Sequence, residues 1–150
     1  MNAAGDRAVI LELIYRYAAL VDSGDFDAVG RLLSRARFGG ARTATISGAE
    51  AIAGVFAMTT RRFADGTPRT RHLVLNPIVE VDGDSATARS TFCVVQATGD
   101  VPLQPIVVGR YYDQFARDDD GWHFTERISD VEMLGDTSEH LLIDPAAFDR

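Results

Sequence analysis

His72 stands near the start of TRHLVLNPIVEVDGDSATARS (residues 70–90), and Asp22 closes YRYAALVD fifty positions earlier. A carboxylate that holds one imidazole nitrogen leaves the other as a general base usable near neutral pH. Asp22 lies beside an apolar helical stripe, where a buried carboxylate needs a partner, and near a helix C-terminus, where the macrodipole disfavours negative charge. A histidine on an opposing strand meets that need. The competing reading is a solvated helix-end aspartate and a structural histidine. Tyr17 precedes Asp22 by little more than one helical turn, so its hydroxyl can reach the same cavity and donate to a substrate oxygen, or the ring can simply pack. Tyr15 is less aligned with the stripe. In WHFTERI, strict alternation puts Trp122, Phe124, Glu126 and Ile128 on one face and His123, Thr125 and Arg127 on the other. Facing inward, Arg127 binds an oxyanion or pins a carboxylate; facing outward, it is solvated.

Other chemistries find no support. The three histidines are far apart and none has a carboxylate at helical spacing, so neither a metal site nor a cofactor is expected. No glycine-rich phosphate loop follows a strand, and no serine sits in a nucleophile elbow. The DGD and DDD clusters read as solvated turns, since the spacing of a calcium loop is missing. All basic residues are Arg, which excludes Schiff-base, P-loop and lysine-base mechanisms. Cys93 is the only cysteine, so it forms no internal disulfide and reads as a small buried hydrophobe. The net charge of −7 and pI near 4.8 repel phosphate backbones, which argues against nucleic acid and anionic membranes as partners. There is no basic segment followed by a long apolar run, so a cytoplasmic protein is expected.

The elements that must position these residues follow from periodicity. DRAVILELIYRYAALVDS (6–23) carries apolar groups at i, i+3, i+4 spacing, with Asp6 as a plausible N-cap and Gly24 as a stop. DFDAVGRLLSRA predicts a shorter second helix, ARFGGARTATIS a weak bent strand, and SGAEAIAGVFAMTTRRF a third helix. From Thr70 the period becomes extended. RHLVLNPIVEV and SATARSTFCVVQAT flank Asp82-Gly83-Asp84 as a hairpin, with a bulge or unpaired edge expected at Pro77. IVVGRYYDQFAR and GWHFTERISDVEML form another through Asp118–Gly121. The tail, 135–150, either crosses a neighbouring surface or is partly disordered. Helices followed by long hairpins predict one α+β domain over 1–150, with its core at about 6–134.

The segments YAALVDSGDFDAVGRLL, SGAEAI, TPRTRHLVLNPIVEVDGDSATARS and GRYYDQFARDDDGWHFTERI resemble the SnoaL-like branch of the nuclear transport factor 2-like superfamily, over roughly residues 6–130. The resemblance implies a cone: a curved antiparallel or mixed sheet wrapped on three N-terminal helices around one deep apolar pocket. Its enzyme branch, similar to scytalone dehydratase, hexachlorocyclohexane dehydrochlorinase and bile acid 7α-dehydratase, abstracts protons with a helix-1 Asp and a strand His. Those positions fall on Asp22 and His72, the tyrosine on Tyr17 and the late arginine on Arg127. The branch's second acid/base residue falls on Gln96, which exchanges no proton at physiological pH.

The combined expectation is a lyase or isomerase, dehydratase-, dehydrohalogenase- or cyclase-like, acting on a small apolar or aromatic ring compound. Catalysis would rest on His72, Asp22 and Tyr17, and substrate binding on Gln96 and Arg127. A polyketide cyclase shares this chemistry with a different substrate. The alternative class is a non-catalytic binding or assembly subunit of the same fold. A trimer or dimer is expected, because VVGRYYDQF is too apolar to leave a sheet face wholly wet.

Overall fold

The computed structural model describes residues 2–148. Helix α1 (Ala3–Ser23) buries Ile10, Ile14, Tyr17 and Val21, the stripe that its periodicity marks. It starts earlier than the sequence suggests. Asn2 is the cap, its side chain accepting from the Gly5 amide at 2.9 Å. Asp6 is instead buried within the first turn, where it accepts from the Trp122 indole at 3.0 Å and from Arg117 at 2.8 Å. Helix α2 (Phe26–Leu32) is capped by Asp25 and ends before the predicted Ala36. The chain then forms two short paired strands, β1 (Arg37–Gly40) and β2 (Ile46–Ser47), the bent strand of the sequence reading. Helix α3 (Ala49–Thr59) follows, and it stops short of Arg61–Phe63.

The two predicted hairpins are β3 (Thr70–Asp82) with β4 (Ser85–Gln96), and β5 (Gln104–Asp118) with β6 (Gly121–Leu134). The strands form one mixed, curved, unclosed sheet in the order β2-β1-β6-β5-β4-β3. Only β1 and β6 run parallel. Residues Ala86, Ala88, Ser90, Phe92, Val94 and Gln96 of β4 point to the buried face. Cys93 lies on the other face and is only half-buried, so it is not the core residue that its apolar setting suggests. Pro77 falls where the β3–β4 register shifts between Leu75 and Ile78, on an edge strand, beside Asn76 at φ 54°.

A second irregularity corrects the alternation read for the last strand. Phe115 pairs with Phe124, but Gln114 pairs with Glu126, so Thr125 is an extra residue in β6. The bulge resets the parity. Trp122, Phe124 and Arg127 are all buried on the core face, where strict alternation separates them. The tail does not trail away: Gly135 donates to Ile106, and Leu141 bridges Thr60 at the end of α3. It crosses the open mouth between helix and sheet.

Gly24 decides how α1 ends. Its φ of 79° lies in the left-handed region, and an added Cβ would stand 2.0 Å from the Gly66 carbonyl oxygen. Only glycine allows both the turn and that approach. Gly24→Ala is therefore expected to cost about 2 kcal/mol, lowering the unfolding midpoint by roughly 4–8 °C in a chain of this size. Differential scanning calorimetry checks this, and an unchanged midpoint would show that the loop around Gly66 yields freely.

Candidate active site

Because Gly24 stops α1 about two turns past Tyr17, the Asp22 carboxylate meets the first residues of β3. It accepts three hydrogen bonds there: from the Thr70 hydroxyl at 2.9 Å, from the His72 amide at 2.8 Å, and from the His72 ring, whose Nδ1 lies 2.6 Å away. Burial works to raise the carboxyl's pKa, but the His72 ring and the amide and hydroxyl donors outweigh it, so Asp22 is held below its ordinary value. An ionised Asp22 fixes the proton of a neutral His72 on Nδ1 and leaves the Nε2 lone pair free. Asp22 itself borders an outer cleft beside Tyr15 and Arg71, whereas His72 stands in the wall between that cleft and an inner cavity. Tyr15 is exposed on the outer side.

The inner cavity has a volume of about 350 Å³. Its walls are mainly apolar, from Phe38, Phe56, Phe92, Val94, Val107 and Val131, with polar groups contributed by Tyr17, Tyr111, His72 and His140. Such a space suits a small apolar molecule better than a charged one. Tyr17 is buried, and burial is the main reason its hydroxyl is pushed up to about 12 despite the opposing charge of Arg127. It therefore stays protonated and remains a donor.

Arg127 lies behind this wall. Its guanidinium grips Asp113 through two bonds, Nε–Oδ1 at 2.8 Å and Nη2–Oδ2 at 2.9 Å, with both side chains fully enclosed. The cation lies 3.8 Å from the Tyr111 ring centre and 4.3 Å from that of Tyr17. Burial opposes its charge, but Asp113 prevails and holds Arg127 above its ordinary value. Gln96 is also enclosed. Its Nε2 donates to the Pro68 and Glu139 carbonyls, each at 3.1 Å. Neither Gln96 nor Arg127 is among the residues lining the cavity. The structure thus pairs Asp22 with His72, puts His72 and Tyr17 on the lining of one cavity, and leaves Gln96 and Arg127 outside that lining. His123 is remote, at the β5–β6 turn.

One lining residue was not among the sequence candidates. His140, in the tail, is 7% exposed, and its Nδ1 has no partner among the described residues. Burial, then the neighbouring His72, push its pKa down to about 4, against a smaller opposing pull from Asp22. The only hint in the sequence is a histidine set before an apolar pair in SEHLLID, which has no periodicity to show where it points. Among the described residues, no group of three or more His, Cys, Asp or Glu could hold a metal, and no helix is long and apolar enough to cross a membrane.

A model of the SnoaL-like domain matches residues 2–128. An NTF2-like protein with a cystatin-like fold from Novosphingobium aromaticivorans is 31% identical, with 84% of this chain and 81% of that one covered at a TM-score of 0.70. A Mycobacterium tuberculosis protein of unknown function, Rv3472, is 26% identical over 83% of this chain and 75% of its own, with a TM-score of 0.67. A Nostoc punctiforme protein of unknown function with a cystatin-like fold is 24% identical, covers 88% and 94% respectively, and has a TM-score of 0.70. No protein of curated function matches at the sequence level.

Of the shifted groups, His140 and Asp22 separate in their effect on stability. The unfolded chain protonates His140 near 6.5, the folded chain only near 4. Between those values the unfolded state holds more protons, so stability falls as pH is lowered through that window, by at most about 3 kcal/mol. Asp22, depressed when folded, adds stability above its ordinary value of 3.8 that is lost only as pH falls further. His140→Asn is expected to flatten the upper fall and leave the lower one. Denaturant midpoints measured from pH 7 to pH 3 test this, and parallel curves for the two proteins would contradict it.

Proposed function

The chain belongs to the SnoaL-like domain family, and we propose that it is a lyase or isomerase that removes a proton beside the carbonyl of a small apolar ring compound. The observation that carries this reading is the His72 ring, held through Nδ1 by Asp22 at 2.6 Å while standing in the wall of an apolar cavity. Nε2 takes the proton: the C–H bond breaks, an N–H bond forms, and the electron pair moves to the carbonyl oxygen as an enolate. Asp22 stabilises the imidazolium so produced. Tyr17, protonated, donates to the developing oxyanion, and the apolar walls strengthen that bond by excluding water. The enolate then either regains the proton at another carbon, expels a β-leaving group, or attacks a carbonyl within the same molecule. Arg127 and Gln96, expected to touch substrate, act in this reading from behind the wall. The Arg127–Asp113 pair backs Tyr17 and Tyr111, and Gln96 anchors chain segments.

The test is exchange of α-protons of 2-tetralone in D2O, followed by proton NMR. Wild type is expected to accelerate exchange over buffer, and His72→Ala and Asp22→Asn to lose about 10²–10⁴-fold and a comparable amount of that gain. Equal rates for wild type and His72→Ala would leave His72 structural and make the protein a binding module.

The outer sheet face supports self-association. Leu73, Cys93, Val108 and Met133 are register partners in one row across β3–β6, and Ile78 and Tyr112 extend the apolar surface. A second copy of the chain covers this face in our reading. Sedimentation at micromolar concentration should give a dimer or trimer; a single species near 16.3 kDa would rule it out.

A further inference from the structure

The residue at the strand position of the second acid/base group is Gln96, and the structure shows what it holds. Two carbonyl oxygens lie within 3.1 Å of its Nε2, those of Pro68 and Glu139. Two acceptors require the amide's NH2 end, the one side-chain group here that can donate twice from a neutral atom. Gln96 therefore ties the segment entering β3, which carries His72, to the tail residue next to His140.

The tail is fixed on the other side as well. The His140 amide donates to Thr137 at 3.0 Å, its carbonyl accepts from the Arg61 amide at 2.8 Å, and the Leu142 amide donates to Thr59 at 2.9 Å. The backbone of His140 is thus fully engaged, the residue lines the cavity, and its enclosed Nδ1 has no hydrogen-bond partner among the described residues. A buried polar nitrogen left without a partner costs about 1–3 kcal/mol, so the ring is held at the cavity by its surroundings and not by a bond of its own.

We propose that His140 is a second catalytic residue of this cavity, donating a ring N–H hydrogen bond to the carbonyl oxygen of a ketone substrate while His72 removes the adjacent proton. This rests on the reading of His72 given above and names the class of substrate it acts on. A neutral imidazole donates from one nitrogen and can bind an oxyanion without giving up its proton. It differs from a cationic acid, which would hand a proton to a leaving hydroxyl. With Tyr17, His140 gives the enolate two neutral donors, an arrangement that favours isomerisation, ring closure or loss of a good leaving group. Atoms balance as before: the abstracted proton stays on His72 and is returned or released from there.

The experiment uses 2-tetralone labelled with ¹³C at the carbonyl, bound to the full chain and observed by infrared difference spectroscopy. In wild type the carbonyl band should move to lower frequency on binding. His140→Phe keeps a ring without a donor; it should lose most of that shift and slow exchange about 10²-fold in kcat, as removal of an oxyanion donor does. His140→Gln, which keeps a donor, should retain part of both. If His140→Phe does not fold, imidazole ¹⁵N–¹H spectra of wild type decide: the His140 ring signal should move on adding 2-tetralone. A carbonyl band at its solution position in wild type, or one unaltered in His140→Phe, or a His140 signal indifferent to 2-tetralone, overturns the assignment. Unimpaired exchange in His72→Ala sinks the general-base reading instead, and the carbonyl band still decides His140.

Discussion

The Asp22 carboxylate is the joint between the two halves of this fold. It lies in the last turn of the long helix α1 and accepts three hydrogen bonds from two residues at the start of the edge strand, one from Thr70 and two from His72. Those bonds fix the height of α1 against β3, and with it the ring orientation of His72. A buried carboxylate with fewer donors would take up a proton, and the imidazole would lose the charge that makes its far nitrogen basic. The same three contacts thus serve packing and chemistry, which is why a carboxylate is tolerated at a helix end that disfavours it.

A second buried charge plays the opposite part. Arg127 and Asp113 are cross-strand neighbours, enclosed and bidentate, beneath the faces of Tyr17 and Tyr111. Such a pair adds little net stability over apolar residues of like volume, yet removal of one partner strands a charge in the core. Its effect is geometric: it fixes the floor on which the tyrosines lie. Asp22 faces a cleft and can exchange with water, whereas Asp113 cannot.

Much of the architecture is legible in the residues. The α1 stripe, the two hairpin turns and the irregularity at Pro77 each follow from periodicity or turn chemistry, and the spacing of Asp22, Tyr17 and His72 is enough to ask whether they meet. Two features are not legible. The face of Arg127 depends on one extra residue at Thr125, and a bulge leaves no mark in an alternation pattern that looks regular on both sides of it. The place of His140 depends on bonds to residues far away in sequence, Gln96 and Arg61 among them, within a segment that has neither helical nor strand period. Asp6, similarly, looks like a cap until Trp122 and Arg117 are seen beside it.

The region shared with the SnoaL-like domain ends at residue 128, before β6 is finished, and the segment that crosses the cavity mouth comes after it. That segment supplies Leu141 and Ile143 as well as His140 to the lining, while none of its described residues belongs to the large apolar cluster between helix and sheet. The cavity is therefore finished from outside the shared domain, while most of its wall, Tyr17, His72, Phe92 and Val94 included, comes from inside it. Substitutions of Leu141 or Ile143 would change the opening of the cavity without touching the large apolar cluster. A match over the common domain therefore says nothing of how the mouth of the cavity is closed.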